Sequence, residues 1–148
     1  MPCEFTARRR VEFSETDMAG IVHYSNFFRY METVEHGFYR SLGFSVAHDR
    51  HDPPVGFPRV HASCDYSRPL RFEDEFEMHL RVIEKKVKSL THQIIFSKIT
   101  PAGAVEVARG KLIVVCVTTK SDGSMGAVPI PADIASRIEV TTPLPSPA

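Results

Sequence analysis

The feature that most restricts this chain is a single helical stripe in a sequence otherwise patterned for strands. Phe27, Met31, Val34, Phe38 and Leu42 recur at steps of four, three, four and four. That spacing sets side chains on one face of an α-helix. It predicts a helix over residues 25–42, with Ser25 or Asn26 available as N-cap and Gly43 as the left-handed residue that ends it. Phe28 and Tyr39 widen the apolar surface, so the helix is expected to be covered on more than one side.

The remaining pattern has period two. Phe5, Val11 and Phe13 give a first strand, interrupted by turn chemistry at residues 14–20. Residues 59–66, 76–82, 90–99 and 105–119 read as four further strands, with turns at 68–74, 100–104 and 121–124. Residues 131–138 fit a short closing helix. Short turns require antiparallel neighbours, and one helix on such a sheet is an α+β arrangement. At 148 residues there is room for one domain, set at residues 1–140. The Pro-rich residues 141–148 read as a mobile tail. Within residues 111–117 both parities are apolar: Leu112, Val114 and Cys116 on one face, Ile113, Val115 and Val117 on the other. One helix covers one face of a sheet, so the other face is expected to meet a second subunit.

Charge narrows the function classes. Eighteen Lys and Arg balance eighteen Asp and Glu, which argues against a nucleic-acid binder. The longest strongly apolar run, residues 112–117, is far short of the ~18 residues of a membrane span, so no membrane partner is expected. The N-terminus carries charge where a secretory signal has its apolar core, and three cysteines without a Cys-x-x-Cys favour a reduced, cytoplasmic setting.

The chemistry concentrates in residues 11–32. Asp17 sits in a loop containing Gly20, just ahead of the helix. A helix start offers unpaired N–H groups and partial positive charge, a place for an oxyanion beside an acidic nucleophile or base. Taken by residue type alone, Thr16 and Asp17 fit an ordinary turn equally well.

Glu15-Thr-Asp17, Ala19-Gly-Ile-Val22 and Asn26-Phe-Phe-Arg29 resemble the signature of hotdog-fold acyl-CoA thioesterases, in the 4-hydroxybenzoyl-CoA thioesterase branch. Tyr66 to Asp74, with Pro69, is similar to that family's turn between strands; the runs at 88–90, 114–117 and 129–131 add support. The resemblance implies a hotdog fold, a five-stranded antiparallel sheet wrapped around one long central helix. It also implies a homodimer or homotetramer with active sites at the subunit interface. Asp17 matches the essential carboxylate, acting as nucleophile or as general base toward water. Backbone N–H groups around Tyr24 would meet the oxyanion, with Gly20, His23, Ser25 and His61 as further substrate-binding candidates. Lys86 and Lys88, read as sharing a strand face, match positions that are basic in this branch and would bind coenzyme A phosphates. No cofactor is implied.

The expected activity is hydrolysis of an aryl or short- to medium-chain acyl-CoA thioester to free acid and CoA. The alternatives within the fold are a non-catalytic acyl-CoA binder and an enoyl-CoA hydratase, for which His36 beside Glu35 is a poor match. Glu32 and Glu35 read as a solvated helix face, and Cys64 as a buried strand residue. His48 and His51 lack a third ligand, so no metal is expected.

Overall fold

The computed structural model describes residues 2–146. Five strands form one antiparallel sheet: β1 (Glu4–Arg10), β2 (Arg59–Tyr66), β3 (Glu75–Lys85), β4 (Ser89–Thr100) and β5 (Gly103–Val115), in the spatial order β1-β3-β4-β5-β2. A single long helix, α1 (Asn26–Ser41), packs on the inner face. This is the hotdog arrangement. The apolar stripe behaves as its spacing requires: Phe27, Met31, Val34 and Phe38 are buried, and Gly43 ends the helix at φ +94°.

The helix approaches the sheet closely because two contacts lack side chains. Phe5, Leu80, Ile94, Gly110 and Cys64 form one cross-strand row on the inner face. Gly110 admits the Met31 sulfur, and Gly37 on α1 admits the Phe5 ring; a Cβ at either position would collide with it. No helix among the described residues is long and apolar enough to cross a membrane.

Several sequence expectations change. The first strand stops at Arg10, because Val11 donates to the Asp74 carbonyl and Phe13 enters a 3₁₀ turn, Phe13–Glu15. The run expected at 105–119 is two strands. At Cys116 the chain leaves the sheet, and β6 (Val117–Thr119) pairs with β7 (Met125–Ala127) while Val117 exchanges two backbone bonds with Gly56. The closing helix, α2 (Ala132–Ala135), is shorter than the pattern suggested. Lys86 and Lys88 are not on a strand; they lie in the turn from β3 to β4, so the shared-face argument does not hold for them.

The segment after residue 140 crosses the outer face of the sheet instead of hanging free. The Thr141 N–H donates to the Val82 carbonyl at 2.8 Å, and Arg81 donates to the Thr142 carbonyl at 2.8 Å. Gln93 and Leu144 exchange a pair of bonds at 3.1 and 2.9 Å, and Arg109 donates to the Leu144 carbonyl at 2.9 Å. Pro147 and Ala148, the end of the expected tail, lie outside the described residues.

Glu35 is no solvated residue. It is 1 % exposed; its carboxylate accepts the Tyr39 hydroxyl at 2.8 Å on one oxygen and the Arg59 guanidinium on the other. Burial, reinforced by Glu35, holds the Tyr39 phenol well above its ordinary pKa, so it remains a donor. His92 is fully buried 3.2 Å from the Tyr39 oxygen, and burial pushes it down to about 3. A neutral His92 then gives its Nε2 proton to Tyr39, which leaves Nδ1 without a partner. Replacing Arg59 by Leu strands a buried carboxylate and should cost about 2–4 kcal/mol in urea unfolding, less than a fully buried pair because Arg59 keeps contact with water. Glu35→Leu/Arg59→Leu together should recover most of that loss. An unchanged midpoint for Arg59→Leu would show that the pair carries no stability.

A second polar device ties the loop before β2 to α2. The His51 ring meets Asp49 through Nδ1 and Asp133 through Nε2 at 2.8 and 3.0 Å. Both nitrogens donate only when the ring is protonated. The hydrogen bonds to Asp49 and Asp133 raise the His51 pKa above 6.5 against desolvation. Desolvation works to raise Asp49, but His51 and the Val55 N–H hold it below its ordinary value; His51 lowers Asp133. The clasp therefore stabilises the fold fully below pH 6.5, and the gain fades as pH rises through the elevated imidazole value. On the acid side it fades as the two depressed carboxylates protonate. The Tm gap between the wild type and His51→Asn should be widest in mildly acidic buffer and shrink on the alkaline side. A gap independent of pH would exclude a charged clasp.

Candidate active site

Residues 15–26 form the approach to α1. Thr16 and Val22 make an isolated antiparallel bridge, and the Asp17 N–H donates to the Ile21 carbonyl at 2.9 Å, which closes a tight loop. Gly20 turns that loop at φ +78°, where a side chain would be strained. One carboxylate oxygen of Asp17 accepts the Ala19 N–H at 2.9 Å; the other has no partner among the described residues. The side chain is half-buried beside exposed Met18–Gly20 neighbours, so the carboxylate is held yet open to an incoming group.

Glu15 joins this loop to both the sheet and the helix. Its carboxylate accepts Arg9 at 2.5 Å and the Glu12 N–H at 2.8 Å. Its carbonyl accepts the His23 N–H at 2.9 Å and the Asn26 side-chain amide at 2.8 Å. Arg9 also lies over the Tyr30 ring, 5.0 Å from its centre.

The helix start has no side-chain cap, contrary to the expectation for Ser25 or Asn26. Asn26 is turned to Glu15, and the Ser25 hydroxyl lies 2.7 Å from His23 Nδ1. The Tyr24 carbonyl accepts the Tyr66 hydroxyl at 3.0 Å and the Phe27 N–H at 3.3 Å. Burial raises the Tyr66 phenol to about 12, which keeps it a donor. The Tyr24 N–H itself has no partner among the described residues, and the Ser25 N–H reaches only His23 Nδ1 at 3.3 Å. Free N–H groups at the positive pole of a helix are suited to receive a developing negative oxygen.

Of the residues singled out in the sequence, Asp17, Gly20, His23, Tyr24 and Ser25 come together at this end of the molecule. His23 bonds to Ser25 and not to Asp17. His61 is exposed on β2, 3.1 Å from the Ser63 hydroxyl, and lies five residues (about 16 Å) along the strand from Tyr66. Lys86, paired with Glu84 at 3.1 Å, and Lys88 lie at the far end of β3, about 35 Å from the Asp17 end. The cavities of about 490, 430 and 500 Å³ are not lined by Asp17, His23 or Tyr24; the one of about 430 Å³ opens beside Arg59, walled by Tyr39, Phe57, Val117 and Met125. No group of three metal-ligating side chains occurs among the described residues. The tie from Asn26 to Glu15 escaped the sequence reading, because an Asn at a helix start reads as a cap.

Comparison with known proteins agrees with this architecture. The thioesterase-like superfamily matches residues 11–138. A 1,4-dihydroxy-2-naphthoyl-CoA hydrolase of Nostoc punctiforme is 30 % identical over 110 residues, covering 68 % of this chain and 70 % of the relative. The 4-hydroxybenzoyl-CoA thioesterase of Pseudomonas sp. strain CBS-3 is 24 % identical over 144 residues, covering 90 % and 96 %. Its solved structure superposes with a TM-score of 0.80 over 91 % of this chain and 99 % of that one, which shows the shared fold. A solved gentisyl-coenzyme A thioesterase is 33 % identical, with a TM-score of 0.75 over 88 % and 99 %. The chain belongs to the thioesterase-like superfamily.

Proposed function

We propose that this protein hydrolyses an aryl or short- to medium-chain acyl-CoA thioester, with Asp17 as the working carboxylate and the N–H of Tyr24 in the oxyanion hole. Membership of the superfamily makes the chain a thioester hydrolase, and the named CoA thioesters of its relatives favour an acyl-CoA substrate. The observation that carries the mechanism is the unpartnered Tyr24 N–H at an uncapped helix start, reached through the loop that holds Asp17. In one route Asp17 attacks the thioester carbonyl, the oxyanion collapses with loss of the CoA thiolate, and water cleaves the resulting anhydride. In the other, Asp17 takes a proton from the attacking water. Both need the carbonyl oxygen at the helix start. Gly20, His23 and Ser25 shape this end of the site.

A second copy completes the site in this reading. β2 is an exposed edge, with Val60 63 % and Tyr66 45 % accessible. Pairing β2 with its counterpart about a two-fold axis reverses strand direction. It thereby carries the Lys86–Lys88 turn, His61 and the cleft beside Arg59 of one chain toward the Asp17 end of the other. The cleft would take the acyl group and the lysines the CoA phosphates.

The test is thiol release from a panel of aryl and aliphatic acyl-CoAs. Asp17→Asn and Asp17→Ala should lower kcat by about 10²–10⁴-fold. Wild-type turnover in either variant would sink the mechanism, and stoichiometric acyl-CoA binding without thiol release would favour a binder. By sedimentation, the protein should run at twice 16.6 kDa or more; a monomer with full activity would exclude the shared site.

A further inference from the structure

At the opposite end of α1 from Asp17, a cavity of about 490 Å³ opens between the last helical turn, the loop after it and α2. Its rim carries Arg40, Arg50 and Arg137, and none of the three is paired with a carboxylate among the described residues. The two acidic residues of the lining, Asp49 and Asp133, are already engaged by His51. With His51 protonated, that trio carries one net negative charge against the three positive charges of the arginines. Arg137 is oriented by one bond, from Nη1 to the Leu42 carbonyl at 2.7 Å, which leaves the rest of its fork unused. Phe44 and Ile134 give the cavity an apolar floor.

We propose that this cavity binds a phosphomonoester, its phosphoryl group held by Arg40, Arg50 and Arg137 and its organic body resting on Phe44 and Ile134. The planar guanidinium fork matches the oxygens of a phosphoryl group and forms charge-assisted bonds to them. A carboxylate offers two oxygens in one plane, whereas a tetrahedral phosphoryl group offers acceptors in more directions to arginines carried by α1, the loop after it and the segment after α2. The volume exceeds that of phosphate alone and suits a small organic phosphate. The α1 C-terminus also explains why cations gather here, since its negative pole favours them. Arg137 Nη1 answers that pole at the Leu42 carbonyl, and the rest of its fork remains available beside Arg40 and Arg50.

The phosphoryl group has two sources, coenzyme A itself or a separate phosphorylated molecule. Titration of the full-length protein with inorganic phosphate, CoA and dephospho-CoA separates them. Phosphate should raise the Tm of the wild type in a saturable manner. Arg40→Gln/Arg50→Gln, which spares the residue bonded to Leu42, should melt as the wild type does without phosphate and need at least about tenfold more phosphate for the same shift. If the same variant weakens CoA but not dephospho-CoA, the phosphoryl group is that of CoA. If CoA binding is untouched while phosphate binding is lost, the ligand is a separate phosphomonoester. Phosphate that produces no saturable shift, or shifts the variant as it shifts the wild type, overturns the proposal. Asp17→Asn should bind phosphate as the wild type does, so failure of the hydrolytic reading leaves this test intact.

Discussion

One helix has to fill the concave face of five strands, and most of the molecule follows from that demand. A wide sheet cannot be covered by a narrow stripe unless the two surfaces come close. Gly37 and Gly110 permit the approach, and Phe5 and Met31 occupy the room they leave. The helix crosses the strands, with Met31 over β5 and Gly37 over β1, and its two poles serve different loops. The positive pole meets the Asp17 loop; the negative pole meets a collar of arginines. Both proposed sites thus lie at the helix termini, away from the packed core.

The main exception to apolar packing is a connected polar set. Glu35, Tyr39, His92 and Arg59 sit where the flank of α1 faces the start of β2. Only the His92 Nδ1 in that set lacks a partner. Replacing such a set by hydrocarbon is often neutral for stability, whereas removing one member is not. Glu15 plays a comparable part at the other end, with its side chain serving β1 and its backbone serving α1. The position of Asp17 relative to the helix start therefore depends on a residue that need not touch any substrate.

The helix, the antiparallel sheet and the loop of Asp17 were legible because each is a local pattern: a period, a turn residue, a short motif. What escaped detection depends on meetings between distant segments. Glu35 is one step from Val34 in sequence, and nothing in the helical pattern announces that Arg59 will arrive to hold it. The break at Cys116 is set by pairing with Gly56 and β7, while the apolar run itself continues through it. Lys86 and Lys88 keep the spacing of a strand but fall in a turn, since β3 and β4 already exchange partners at Lys85 and Leu90. Residues 141–144 looked free by composition. Their anchors, Arg81, Gln93 and Arg109, are polar outer-face residues on three different strands.

The uncapped start of α1 carries a consequence for how such a protein can be improved. A side-chain cap is worth about 1 kcal/mol to a helix, and the chain does without it while Ser25 and Asn26, both suited to the task, are turned elsewhere. Turning Ser25 or Asn26 back to cap the helix would gain that stability only by releasing its bond to His23 or to Glu15, the contacts that shape the approach from Asp17 to α1. If the proposed site is right, durability and turnover compete at this one turn, and stabilising changes at the other end of the helix leave it undisturbed.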